Sequence, residues 1–418
     1  AKASYEKTIE LVDKAEQYLV KNGATLKEHI VESNISLLEL AQIRKQISLK
    51  KGHATISTLN ESSLAMSFSN SNIEKIATQG PLTPDHVIRT KRIPLLLGTN
   101  IEADLNSYIE EYTKYFDNNK TNETLLNPTP NFAILCGEGS LSFGKNVKEA
   151  NIIKDINEHT FEAILKAEKL GGYKALSSSK IFEVEYWSLE QAKLKKSTSS
   201  LEFSGQVAVV ASGVLGIGLD IAKMLHARGA VVVILDINPE IETIFNKADA
   251  IGITCDLTSS EDIQKAIEIT VKKFGGIDII VGNVEILKPS DISDIQSDEN
   301  WQESINVNLT AHQKLLKYTT PFLKLGINPS INMIAYKNFD APAKGSDGQT
   351  QLAKVATLEH GEFDIPVNTI TIFDTSNILA NQKENNTNNI LKINSQGISE
   401  LVCTMASDTF TKTTDLML

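Results

Sequence analysis

Between Val207 and Gly218 the chain reads Val-Ala-Val-Val-Ala-Ser-Gly-Val-Leu-Gly-Ile-Gly, an apolar run that closes on a turn with glycines at 213, 216 and 218. Residues without a Cβ let backbone N–H groups come close to a pyrophosphate where a helix begins. Asp236 ends the next apolar run, at the distance where a carboxylate meets a ribose hydroxyl. Cys255-Asp256-Leu257 follows the third run, where an acidic side chain can meet an adenine. The same glycines also suit tight packing of a helix on a sheet with no ligand at all, so both readings stand at this point.

Three other groupings invite chemistry. Thr83-Pro84-Asp85-His86, with Arg89 and Lys91 close by, has the makings of a phosphate or sugar contact. A lone histidine without a second ligand reads better as part of a packed turn. Glu183, Glu185 and Glu190 resemble paired carboxylates for acid–base work, but beside Tyr186, Trp187 and Lys193 they read as a brace between domains. Gly137-Glu138-Gly139 with Gly144-Lys145 lacks the Gly-Lys-Ser/Thr ending and spacing of a phosphate loop and reads as a turn.

The elements that must position these groups follow from periodicity. Ile9, Val12, Ala15 and Leu19 predict a helix over 4–22, and further helices are expected over 36–48 and 101–117. Residues 118–131 read as a linker or long loop. A strand over 131–136, a turn and a long helix over 147–170 come next. After a serine-rich stretch at 195–200, strands at 206–211, 230–236, 277–281, 330–335 and 366–372 alternate with helices at 217–228, 260–273, 301–325 and 349–361. Alternation at these lengths predicts an α/β fold: a doubly wound, Rossmann-type parallel sheet covered on both faces. Ahead of it the sequence predicts a smaller, helix-rich α/β region. The boundaries are 1–197 and 198–418, and 381–391 reads as a loop.

The 418 residues carry 41 Lys+Arg against 52 Asp+Glu, a net charge of −11. An acidic chain without basic runs argues against nucleic acid as a partner. No apolar run is long enough to span a membrane. Cys136, Cys255 and Cys403 are far apart and odd in number, which suits a reducing cytoplasm and offers no zinc spacing. Ala1 falls inside what reads as a continuing helix, so the natural start is expected elsewhere.

From Leu201 to about residue 415 the chain resembles the short-chain dehydrogenase/reductases. The resemblance rests on Gly216 and Gly218, Asp236, Asp256, Asn283 at the head of the family's Asn-Ala-Gly motif, Asn308 in Val-Asn-Leu-Thr, Lys354, and Val367-Asn368. It implies that Gly213, Gly216, Gly218, Asp236, Asp256 and Asn283 line a site for NAD, the aspartate at 236 disfavouring a 2′-phosphate. It also implies a serine that orients the carbonyl, a tyrosine that transfers the proton, a lysine that lowers the tyrosine pKa and an asparagine that holds a relay water. The departures are specific. Ser212 stands at the first family glycine, and Asn-Ala-Gly has become Asn283-Val284-Glu285. Tyr336 stands at the serine position, Thr350 at the tyrosine position, and Phe373 at the usual proline. The ending stops at Thr414-Asp415-Leu416-Met417-Leu418. A threonine hydroxyl is far too weak an acid to replace a phenol of pKa ~10. Of the catalytic set, Asn308 and Lys354 remain.

Two longer strings, residues 80–91 and 182–193, narrow the resemblance to the fused bifunctional rhamnulose-1-phosphate aldolase/alcohol (lactaldehyde) dehydrogenases. The match opens downstream of that family's zinc ligands, which implies no metal and no aldol cleavage by this chain alone. The expectation is a pseudoenzyme with a structural, self-assembling role: a homo-oligomer, with closed rings and filaments both open to it, and no cofactor required. The alternative is an NAD-dependent dehydrogenase of a small hydroxy-aldehyde such as lactaldehyde, with Tyr336 and Lys354 as a displaced acid.

Overall fold

The computed structural model describes residues 2–26, 33–195, 201–284, 297–338, 346–374, 395–407 and 415–417. It divides into two compact units: residues 1–35, 57–144 and 148–199, and residues 36–56, 145–147 and 200–418. The segment 36–56 therefore belongs with the C-terminal unit, although its place in the sequence is within the N-terminal region.

The N-terminal unit is built on a four-stranded sheet in the order Ile56–Asn60, Gly139–Gly144, Phe132–Leu135, Leu95–Leu97. Phe132–Leu135 and Gly139–Gly144 form an antiparallel hairpin, so the turn expected at 137–139 joins two strands rather than a strand and a helix. Gly139 is required there: a Cβ would lie 2.3 Å from the Asn60 carbonyl oxygen. Phe68 stacks on Phe161, ring centroids 4.2 Å apart, in a core shared with Phe132 and Ile134. Helix Lys2–Lys21 forms as its spacing predicts but buries no residue.

The C-terminal unit carries an eight-stranded sheet, in the order Asp415–Met417, Val367–Asp374, Ser330–Asn338, Ile279–Gly282, Val207–Ala211, Val231–Asp236, Ala250–Thr254, Asn246–Lys247. The neighbouring strands pair in parallel except for the short edge strand Asn246–Lys247. This is the doubly wound α/β sheet that alternation of apolar strands and helices predicts. The central strands are buried throughout, except for half-buried Asp236 at the carboxyl end of Val231–Asp236, as a sheet covered on both faces requires. Helices Gly216–Ala227 and Ser395–Ala406 pack on each other over one core, with Ile221, Leu225 and Val402 against Ala208, Val210, Val232 and Ile234. Helices Ser260–Phe274, Ala311–Leu323 and Leu37–Lys51 pack together in a second group.

The long helix expected over 301–325 is broken into Ser297–Ile305, a π-turn at Asn306–Thr310, and Ala311–Leu323. Such turns widen the backbone ring by one residue, often at functional positions. The serine-rich stretch beyond 195, the loop at 381–391, Glu285 and Thr414 lie outside the described residues.

Candidate functional site

Winding of the large sheet reverses between strands Val207–Ala211 and Ile279–Gly282, which opens a crevice at their carboxyl ends. There the first strand runs into Ser212, whose φ is +59°. A residue with a Cβ is disfavoured in this left-handed region by about 1 kcal/mol. Ser212 is held in it from both sides. Its N–H donates to the Leu235 carbonyl at 2.7 Å, and its own carbonyl accepts from Asn283 Nδ2 at 3.3 Å.

The three glycines then separate by role. A Cβ on Gly213 would lie 2.2 Å from Ile234 Cγ2, and one on Gly218 would lie 1.8 Å from the Ser212 carbonyl oxygen. Both are demanded by packing. Gly216, at φ +66°, has nothing within 4 Å of where its Cβ would be. It faces open space at the start of helix Gly216–Ala227, an end that has no side-chain cap. An uncapped helix N-terminus at an open mouth is where a phosphate group is stabilised by free N–H groups and the helix dipole. The glycines thus divide: Gly213 and Gly218 are demanded by packing, and Gly216 is not.

Asp236 ties the turn down. Its Oδ2 accepts the N–H groups of Gly213 at 2.9 Å and Val214 at 3.0 Å. Its Oδ1 accepts from Asn238 N at 2.9 Å, which leaves that oxygen a second lone pair for a hydroxyl. Asp256 instead closes its own turn: Oδ1 accepts from Thr258 N at 2.8 Å and Thr258 Oγ1 at 2.7 Å. Gly213, Gly216, Gly218, Asp236 and Asn283 therefore form one constellation, with Asp256 at the end of the neighbouring strand.

Of the positions implied for proton transfer, Asn308 is 2% exposed inside the π-turn. Helix Ser346–His360 packs against that turn, with Gly348 close to Leu309. The helix carries Thr350 and, one turn on, Lys354, which is exposed to solvent. Tyr336 stands on strand Ser330–Asn338, in register with Ile372, and Phe373 is in register with Lys337.

Sequence reasoning missed His312. It is 1% exposed, and burial pushes its pKa down to about 4, so the ring is neutral at physiological pH. A Cβ on Gly282 would lie 2.9 Å from His312 Cδ2, which ties the end of strand Ile279–Gly282 to the helix after the π-turn. A histidine on the apolar stripe of Ala311, Leu315 and Leu316 was the available signal.

In the N-terminal unit His86 lies in a single turn, Pro84–His86, and burial lowers its pKa. Glu185 corrects the expectation of a brace between domains. It is buried within the N-terminal unit, accepting from Tyr112 Oη at 2.7 Å with Lys91 Nζ 3.5 Å away. Tyr112 Oη also lies 3.0 Å from Tyr186 Oη, so the carboxylate is an internal anchor. Glu183 is exposed and pairs with Lys180. Among the described residues no group of three or more His, Cys, Asp or Glu is placed to hold a metal ion. No helix among them is long and apolar enough to cross a membrane.

Both parts are similar to known families. Residues 35–194 match the family model for the second domain of class II aldolases, and residues 206–335 match that for short chain dehydrogenases. An uncharacterised oxidoreductase of Bacillus subtilis, YuxG, is 26% identical over 407 residues, covering 88% of this chain and 58% of the relative. The chain thus spans little more than half the length of that protein. An uncharacterised oxidoreductase of Staphylococcus aureus is 30% identical over 161 residues, covering 37% of this chain and 69% of the relative. Among solved structures, a short-chain dehydrogenase/reductase (glucose/ribitol dehydrogenase) from Brucella melitensis is 21% identical with a TM-score of 0.45, covering 53% of this chain and 97% of its own.

Proposed function

From a chain whose C-terminal part belongs to the short-chain dehydrogenases and follows a class II aldolase-type region, we propose a pseudoenzyme with a structural, self-assembling role. Its ancestor, in this reading, is a fused rhamnulose-1-phosphate aldolase/lactaldehyde dehydrogenase. The observation that carries the proposal is Thr350. Helix Ser346–His360 offers Lys354 one turn after it, but no phenol for that lysine to activate. Acid–base chemistry needs a group whose pKa lies within reach of the working pH, and an aliphatic hydroxyl does not qualify.

A second reading has its own support. The open space at Gly216, the uncapped helix start and the spare acceptor on Asp236 fit a dinucleotide. The Gly216–Gly218 backbone would hold the pyrophosphate, and Asp236 would take a ribose hydroxyl. Bound NAD would supply a hydride acceptor. The chain's own contribution would be to hold the cofactor and, at Asn308, to position a relay water. On this reading the chain is an NAD-dependent dehydrogenase of a small hydroxy-aldehyde.

Titration with NADH followed by fluorescence, then turnover of lactaldehyde with NAD, separates the two. The pseudoenzyme reading expects no turnover whether or not NADH binds, and unchanged behaviour of Lys354→Ala. Turnover that disappears in Lys354→Ala, with folding intact, refutes it.

A further inference from the structure

A buried ion pair lies at the amino ends of the central strands, the opposite end from the glycine turn. Asp278, fully buried, stands just before strand Ile279–Gly282. Its Oδ1 accepts from Arg44 Nη1 at 3.1 Å and Ile327 N at 2.6 Å. Its Oδ2 accepts from Arg44 Nη2 at 2.6 Å and Val207 N at 2.7 Å. Arg44, 1% exposed, also donates through Nε to the Thr55 carbonyl at 2.6 Å and through Nη2 to the Gly205 carbonyl at 2.9 Å. The backbone of Asp278 adds two more bonds, from its N–H to Val207 O at 2.8 Å and to its carbonyl from Ser330 N at 2.9 Å. One ion pair thus sits where three central strands begin.

The unit's glycines are shaped around the incoming segment. A Cβ on Gly276 would lie 2.9 Å from Arg44 Nη1, and one on Gly205 would lie 2.2 Å from the Ala54 carbonyl oxygen. Yet Arg44 and Ala54 come from the stretch that matches the aldolase family, more than a hundred and fifty residues before the dehydrogenase match begins.

We propose that residues 36–56 are the obligate closing piece of the dehydrogenase-type unit, and that the surface formed by Gly205, Gly276 and Asp278 is a socket for the helix Leu37–Lys51 and its guanidinium. A charged group removed from water requires a partner of opposite charge and satisfied hydrogen bonds, and among the described residues Arg44 supplies both here. Without residues 36–56, the described residues of the unit would hold a buried carboxylate with no counter-ion.

The test uses the full chain with a protease site placed within residues 196–200 and cut after folding. The two pieces are expected to co-elute in gel filtration, and Arg44→Met is expected to abolish co-elution, with Arg44→Lys in between. Separation of the unsubstituted pieces, or undiminished co-elution of the Arg44→Met pieces, overturns the proposal. Native-state hydrogen exchange on the unaltered chain decides it even where Arg44→Met does not fold. Amides of helix Leu37–Lys51 are expected to open with the same denaturant dependence as strands Val207–Ala211 and Ile279–Gly282. Opening with Phe132–Leu135 and Gly139–Gly144 instead refutes it.

Discussion

Replacing Gly218 and Gly216 by alanine should damage the protein in two different ways. At Gly218 the new methyl would lie 1.8 Å from the Ser212 carbonyl oxygen and 2.8 Å from Asn283 Nδ2. An ordinary carbon–oxygen contact is about 3.3 Å or more, so helix Gly216–Ala227 and the turn must part by roughly 1.5 Å. The obstacle is backbone, which cannot rotate aside. Overpacking of this kind costs about 1–3 kcal/mol, and a unit of this size loses roughly 2–4 °C of Tm per kcal/mol, so a fall of about 2–12 °C is expected. At Gly216 the methyl meets nothing within 4 Å. Only its φ of +66° opposes alanine, at about 1 kcal/mol, partly offset by the stiffer unfolded chain. Calorimetry should therefore show Gly216→Ala close to the parent and Gly218→Ala well below it. NADH fluorescence titration completes the assay. If the cleft binds cofactor, Gly216→Ala loses binding while remaining stable, because its methyl occupies the space through which a pyrophosphate approaches. Equal Tm losses, or the larger loss at Gly216, would refute the division of roles between these glycines.

Other perturbations are equally specific. Arg44→Met should lower full-chain stability by about 3–5 kcal/mol in denaturant titration, since it leaves Asp278 charged and buried; a loss under about 1 kcal/mol contradicts the buried pair. Asp236→Ala removes the acceptor of three backbone N–H groups. It should cost about 1–2 kcal/mol and, if NADH binds the parent, weaken binding about tenfold or more. His312 has a folded pKa near 4 against 6.5 in its ordinary state. The unfolded chain therefore binds more protons across that window, so this residue makes stability rise with pH from about 4 to 6.5 and level off above. The difference amounts to about 3 kcal/mol. His312→Leu should flatten that part of the stability–pH curve; an unchanged slope means that the ring is not buried neutral.

The sequence by itself determined the architecture of the C-terminal unit and the location of its glycine turn. Alternating apolar strands and helices are local signals, and a parallel sheet is the arrangement that buries continuous apolar strands on both faces. The glycine spacing and the aspartate closing the next strand are equally local, which is why Gly213, Gly216, Gly218 and Asp236 were legible together. Tertiary structure alone decided what each of them does. Two residues of the same type at 216 and 218 differ because one faces open space and the other the Ser212 carbonyl oxygen, a matter of how the turn folds back over the helix start. The π-turn around Asn308 was illegible because a helix of unbroken periodicity conceals one inserted residue. Arg44 left a trace, a cation on the buried stripe of Leu40 and Ile47. Its partner Asp278 lies 234 positions away, and no local pattern carries information over that separation. Only folding brings the two charges out of water together, and so assigns a helix from one family's sequence to the other family's sheet.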